Sequence, residues 1–161
     1  PVPGSRPDAA RKVIAKYPEA FRTIFDLNVI APLRMIQAVI PAMRAQGGGA
    51  IVNISSGTTT VVPAGFAAYA ATKSALETLS SGAWKELEPD GITVSVLLPY
   101  ITSTGFHENL RQGARRAPQW PGMPPAHTPE FVARWIVSTL ESGDRSVVLT
   151  PDALEPPPLE S

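Results

Sequence analysis

Tyr69 and Lys73 stand four residues apart in Tyr69-Ala70-Ala71-Thr72-Lys73, and Ser56 lies thirteen positions before the tyrosine. On a helix, residues four apart share one face, so an ammonium at 73 can approach a phenol at 69. A free phenol has a pKa near about 10, too high for efficient proton transfer at neutral pH, and a nearby cation favours the phenolate. The pair therefore reads as a proton carrier. A serine hydroxyl at the tip of a neighbouring strand would donate to a substrate oxygen where negative charge develops. The same tyrosine-to-lysine spacing also occurs on ordinary solvated helices, so the surrounding elements must decide.

Those elements alternate. Apolar residues recur at helical spacing from about 19 to 46: Phe21, Ile24, Phe25, Leu27, Ile30, Leu33, Ile36, Val39, Ile40 and Met43. Pro32 and Pro41 each remove a backbone donor, which predicts a kink or break there. Gly47 to Gly49 stop that helix, and an apolar run at 50–55 reads as a strand ending just before Ser56. A helix over 68–87 carries Tyr69 and Lys73, Pro89-Asp90-Gly91 turns the chain, and a second strand occupies 92–98. Residues 100–128 lack periodicity and read as an excursion over a site, with Phe106, Leu110, Trp120 and Met123 either lining a pocket or forming ordinary core. Thr128 caps a helix over 129–141, and a third strand follows at 146–150. A short helix is expected between Asp8 and Tyr17. The order predicts an α/β fold: a partial Rossmann-like, doubly wound parallel sheet of three strands with crossover helices. One domain spans 1–150, and the proline-rich tail 151–161 is expected not to pack.

Composition narrows the classes of function. The 14 basic and 14 acidic side chains cancel, leaving no field to attract nucleic acid or anionic lipid. No cysteine is present, and His107 and His127 lack ligand spacing, so no metal site is expected. The absence of cysteine suits a reducing cytoplasm. Asn28, Pro32 and Pro41 interrupt the longest apolar stretches, so no membrane span is expected.

The assembly Ile51-Val52-Asn53-Ile54-Ser55-Ser56 followed by Tyr69-Ala70-Ala71-Thr72-Lys73-Ser74-Ala75-Leu76 resembles the short-chain dehydrogenase/reductase family. The segments 25–32 and 91–99 are similar to further parts of that family, and the likeness covers about residues 20–150. It implies an oxidoreductase moving hydride between NAD or NADP and a small carbonyl or alcohol. By the same resemblance Tyr69 is the acid/base and Ser56 orients the substrate oxygen. Lys73 lowers the phenol's pKa and binds ribose, and Asn28 lies on a locally distorted helix and holds a water that leads to the lysine. Tyr69, Lys73, Pro99, Thr102 and Thr104 would contact the cofactor. One departure stands out: Tyr100 and Thr102 occupy places where the family usually has a glycine and an aliphatic residue.

The family's opening strand and glycine-rich turn, which bind the cofactor pyrophosphate at a helix N-terminus, have no counterpart in the sequence. Gly47-Gly48-Gly49 precedes a strand instead of joining a strand to a helix. A full domain of this kind runs to about 250 residues, so the chain is expected to be the C-terminal catalytic part of a longer protein, with doubtful activity by itself. Strand 50–55 would then expose an edge and leave the isolated chain marginally stable. The resemblance implies that the helices at 19–46 and 68–87 join copies into a homo-oligomer. The alternative is a catalytically silent remnant that acts only through such association.

Overall fold

The computed structural model describes residues 18–63, 65–104 and 124–158. The helix expected between Asp8 and Tyr17 and the pocket candidates Phe106, Leu110, Trp120 and Met123 lie outside the described residues.

The first helical stretch is distorted at a different place from the one its prolines suggest. Helix α1 (Pro18–Phe25) passes into a π turn (Asp26–Ile30) and then into α2 (Ala31–Ala45). The widened turn centres on Asn28 and ends before Pro32, which sits in the first turn of α2 where a missing N–H leaves no bond unmade. Pro41 lies inside α2 without ending it. It is exposed, so water can satisfy the carbonyl that its ring leaves unbonded. The expected break at these prolines is therefore replaced by a π turn one step earlier.

Because the helix runs on, Phe21–Ala45 is long and apolar enough to cross a membrane by length and composition, with a mean hydropathy of 1.4 over 18 of its residues. This corrects the expectation drawn from its interrupting residues. In the fold one side of the stretch faces protein: Val29 and Ile36 are buried, and Asn28 is bonded to a neighbouring helix.

Helix α2 stops in the glycines as expected. The Gly48 amide donates to the Met43 carbonyl at 2.9 Å and the Gly47 amide to Arg44 at 3.2 Å. Gly48 has φ +149°, and a Cβ there would lie 2.6 Å from the Gly91 carbonyl oxygen. Only glycine fits.

Three parallel strands follow in the order β1 (Gly49–Ile54), β2 (Ile92–Leu98) and β3 (Ser146–Val148). Helix α3 (Ala67–Leu87) connects the first pair and α4 (Pro129–Ser142) the second. On one face of the sheet Ile36, Ile40 and Met43 of α2 and Ala83, Trp84 and Leu87 of α3 pack on Ile51, Ile92 and Val94. On the other face Phe131, Val132, Trp135 and Ile136 of α4 pack on Val52, Ile54, Leu97 and Leu149. The two crossover helices thus cover opposite faces although both steps run the same way along the sheet. One of the two crossovers must therefore have the rare left hand. The thirty residues between β2 and α4 give the chain length to take that route.

Strand β2 is buried along almost its whole length, whereas β1 is mostly half-buried and pairs on one side only among the described residues. Thr128 caps α4 by accepting from the Phe131 amide at 3.2 Å. The segment after β3, expected not to pack, docks on that helix as far as it is described. Trp135 Nε1 donates to the Leu154 carbonyl at 3.1 Å, and Arg134 binds both carboxylate oxygens of Glu155 at 2.8 and 3.0 Å. Proline removes donors, but the carbonyls and side chains of the tail remain free to accept.

Candidate active site

The C-terminal tip of β1 is held by polar contacts on every side. Asn53 donates from Nδ2 to the Ser80 hydroxyl at 2.8 Å, and the Ser55 hydroxyl donates to the Glu77 carboxylate. The Ser55 amide bonds the Leu97 carbonyl at 2.8 Å, and the Gly57 amide bonds the Pro99 carbonyl at 3.0 Å. Ser56, between them, caps the short 3-10 turn Gly57–Thr59. It accepts from the Thr58 amide at 3.2 Å and from the Thr58 hydroxyl at 3.0 Å.

Helix α3 brings Tyr69 and Lys73 to this tip, because three of its buried residues, Ala70, Thr72 and Ser80, are small and let the helix lie close to the sheet. Ala70, Thr72, Leu76 and Ser80 are buried. Both buried hydroxyls return a bond to their own helix, Thr72 to the Tyr69 carbonyl at 2.8 Å and Ser80 to Leu76 at 2.7 Å. The Tyr69 hydroxyl meets the Ser56 side chain closely enough for the serine to act on its titration. Burial pushes the phenol above its ordinary pKa, and the bond to Ser56 pulls it part of the way back.

Lys73 lies one turn further along, with Nζ 5.8 Å from the centre of the Tyr69 ring. Its ammonium donates to the Ile54 carbonyl at 2.8 Å. Burial lowers its pKa, and the negative charge of Glu77 opposes that fall. The sequence suggests that the lysine depresses the phenol's pKa. In this geometry Ser56 also lowers it, and the ammonium is bonded to the strand end.

Asn28 reaches the same region from the π turn. Its Nδ2 donates to Thr72 Oγ1 at 3.0 Å, and Thr72 in turn bonds the backbone of Tyr69. Asn28, Asn53, Ile54 and Lys73 line one open groove of about 370 Å³ along the free side of β1. The arrangement thus joins Ser56 to Tyr69 directly, and sets Lys73 and Asn28 on a shared groove behind them.

Beyond β2, Pro99 adjoins the Ser56 loop through Gly57. Thr102 forms a parallel bridge with His127, and its hydroxyl bonds the Tyr100 carbonyl at 3.1 Å. The Thr104 amide bonds the Thr102 carbonyl at 2.9 Å. Sequence reasoning missed Thr72, Ser55 and Glu77, which hold the other groups in place. The signal was present in the four-residue spacing from Lys73 to Glu77, which repeats that from Tyr69 to Lys73. Among the described residues, no cluster of three or more histidine, aspartate or glutamate side chains could hold a metal.

Residues 9–115 match the model of the short chain dehydrogenase family. Dehydrogenase/reductase SDR family member 4 of Homo sapiens is 37% identical over 92 residues, which are 57% of this chain and 33% of that protein. An uncharacterized oxidoreductase of Staphylococcus haemolyticus is 34% identical over 98 residues, 61% of this chain and 42% of its own length. A short chain dehydrogenase from Burkholderia cenocepacia, solved in complex with NADP, superposes with a TM-score of 0.70 at 27% identity, over 86% of this chain and 53% of that one. A short-chain dehydrogenase from Sphingobium yanoikuyae in complex with NADPH gives 0.69 at 28% identity, over 84% and 50%. The chain thus spans between about a third and a half of the length of these relatives.

Proposed function

The chain belongs to the short chain dehydrogenase family, and on that premise we propose that it carries the proton-transfer and substrate-orienting residues of a nicotinamide-dependent oxidoreductase acting on a carbonyl or an alcohol. The observation that carries this reading is the meeting of Ser56 and Tyr69 at the strand tip, with Lys73 one turn along the same helix.

The donor set suits the nicotinamide end of NAD or NADP. A phenol and an ammonium close together on one helix match the hydroxyls of a ribose, so Tyr69 and Lys73 would hold that sugar. The backbone of Pro99, Thr102 and Thr104, joined to the Ser56 loop through Gly57, would border the nicotinamide. Two structural relatives at 27% and 28% identity are complexes with NADP and NADPH, which favours this class of cofactor. When bound, the cofactor supplies hydride to a carbonyl carbon or accepts it from an alcohol.

In reduction, Tyr69 passes its proton to the carbonyl oxygen as that oxygen gains charge, and Ser56 donates a hydrogen bond to the same atom. The proton returns to Tyr69 by way of Lys73 and the groove that Asn28 borders. In oxidation each step reverses. The outward Leu27, Met35, Val39 and Leu79 suit association of copies through α1–α2 and α3, and the cysteine-free chain suits the cytoplasm.

Tyr69→Phe should reduce NADPH- or NADH-dependent turnover of an aldehyde and ketone panel by about a hundredfold to ten-thousandfold, with an unchanged circular dichroism spectrum. Turnover close to wild type would overturn the assignment. So would the absence of saturation transfer to the nicotinamide and ribose protons of both cofactors. The raised phenol pKa fixes the sign of the pH dependence. Reduction needs the protonated phenol, so its rate should hold through neutrality and fall only above the ordinary tyrosine range. Oxidation needs the phenolate and should still be rising there.

A further inference from the structure

His127 is the one described residue whose buried side-chain polar atoms lack a partner: neither Nδ1 nor Nε2 makes a hydrogen bond. A buried polar group left unpaired is unfavourable, so something else must keep the ring in place. Its surroundings supply the reason. The ring lies 4.5 Å from that of Phe131 and 5.6 Å from that of Tyr100, at interplanar angles of 48° and 65°. Such offset and edge-on contacts are favourable in themselves.

The backbone of the same residue closes a bridge. The His127 amide donates to the Ile101 carbonyl at 2.9 Å, and its carbonyl accepts from the Ser103 amide at 2.9 Å and from the Ser103 hydroxyl at 3.2 Å. The Tyr100 hydroxyl reaches the Pro124 carbonyl at 3.4 Å. His127 also directly precedes the Thr128 cap of α4. The three rings therefore tie the start of α4 to the segment that leaves β2. That segment in turn accepts the Gly57 amide at Pro99, next to Ser56.

We propose that Tyr100, His127 and Phe131 form an aromatic clamp that positions Ser56 against Tyr69, acting through Pro99 and Gly57. The ring of Tyr100 then has a structural purpose in this chain. His127 contributes a flat ring, and its nitrogens are dispensable. The inference deepens the oxidoreductase reading by naming positioning residues for its acid/base pair, and it rests on that reading for its catalytic meaning.

The test needs neither substrate nor cofactor. In the full chain, the Cζ resonances of the tyrosines are titrated by NMR, with Tyr69 assigned from Tyr69→Phe. His127→Ala should move the Tyr69 midpoint upward by about half a pH unit or more, because the bond from Ser56 that lowers it is lost. Tyr100→Leu should do the same from the other side of the stack. His127→Phe should restore the wild-type midpoint and raise the melting temperature, since the unpaired nitrogens are gone. Wild-type titration in both His127→Ala and Tyr100→Leu would overturn the proposal. So would His127→Phe behaving like His127→Ala, which would give the nitrogens a role of their own. Loss of the whole fold in both weakened variants would show a general stabilising contact and would equally overturn it. Failure of the oxidoreductase reading would appear instead as absent turnover with these shifts intact.

Discussion

Strands β1 and β2 are both near-continuous apolar runs, yet they are held in different ways. Five of the seven residues of β2 carry aliphatic side chains, and the whole stretch Val94–Leu98 is buried between helices. In β1 only Asn53 is fully buried, and one edge of the strand pairs with no other strand among the described residues. Its functional end is secured by directed bonds: Asn53 to Ser80, Ser55 to Glu77, Lys73 to Ile54 and Gly57 to Pro99. A strand with an open flank can therefore still present a well-placed tip. Apolar burial makes β2 stable, and hydrogen bonding makes the end of β1 definite.

The largest expected effect falls on β2. Leu97 is completely buried, and Leu97→Ala should cost about 2–5 kcal/mol in urea unfolding. Ile51→Ala, on the open strand, should cost less than half as much, and equal costs would mean that the flank of β1 is covered in solution. Asn53→Ala should come next, at about 1–2 kcal/mol, because it removes a buried side-chain bond to Ser80. If it costs clearly less than Ile51→Ala, the polar account of the tip fails. Glu77→Gln should change stability least, while lowering the Lys73 midpoint further, because the carboxylate raises it. An unchanged lysine titration by NMR would show that Glu77 does not act on Lys73.

The placing of Tyr69 and Lys73 on one helix, the three strands and their parallel order were legible because each rests on local chemistry: a helical period, an apolar run, a glycine stop. β2 agrees with its expected bounds, and Thr128 caps α4 as read. What could not be read depended on contacts between distant segments. Proline chemistry alone suggested breaks at Pro32 and Pro41, and only the family resemblance pointed to a distortion at Asn28, whose side chain bonds to Thr72 44 residues away. The direction taken by the Lys73 ammonium depends on the Ile54 carbonyl, which is visible only once strand and helix are packed. The unlike hands of the two crossovers leave no trace in either helix's own pattern.

The touching turns at Gly48 and Gly91 act as a common origin for both strands. The Gly49 amide bonds the Gly91 carbonyl at 3.2 Å, and from there the pairing counts off Gly49 with Ile92 through Ile54 with Leu97. A slide of one residue would exchange the two faces of β1, turning Asn53 away from Ser80 and Ile51 out of its core. It would also carry Ser56 about 3.3 Å along the strand, beyond hydrogen-bonding reach of the phenol. Two residues without side chains, at the end of the sheet opposite the Ser56 tip, thereby set the length scale on which the distances among Ser56, Tyr69 and Lys73 are measured.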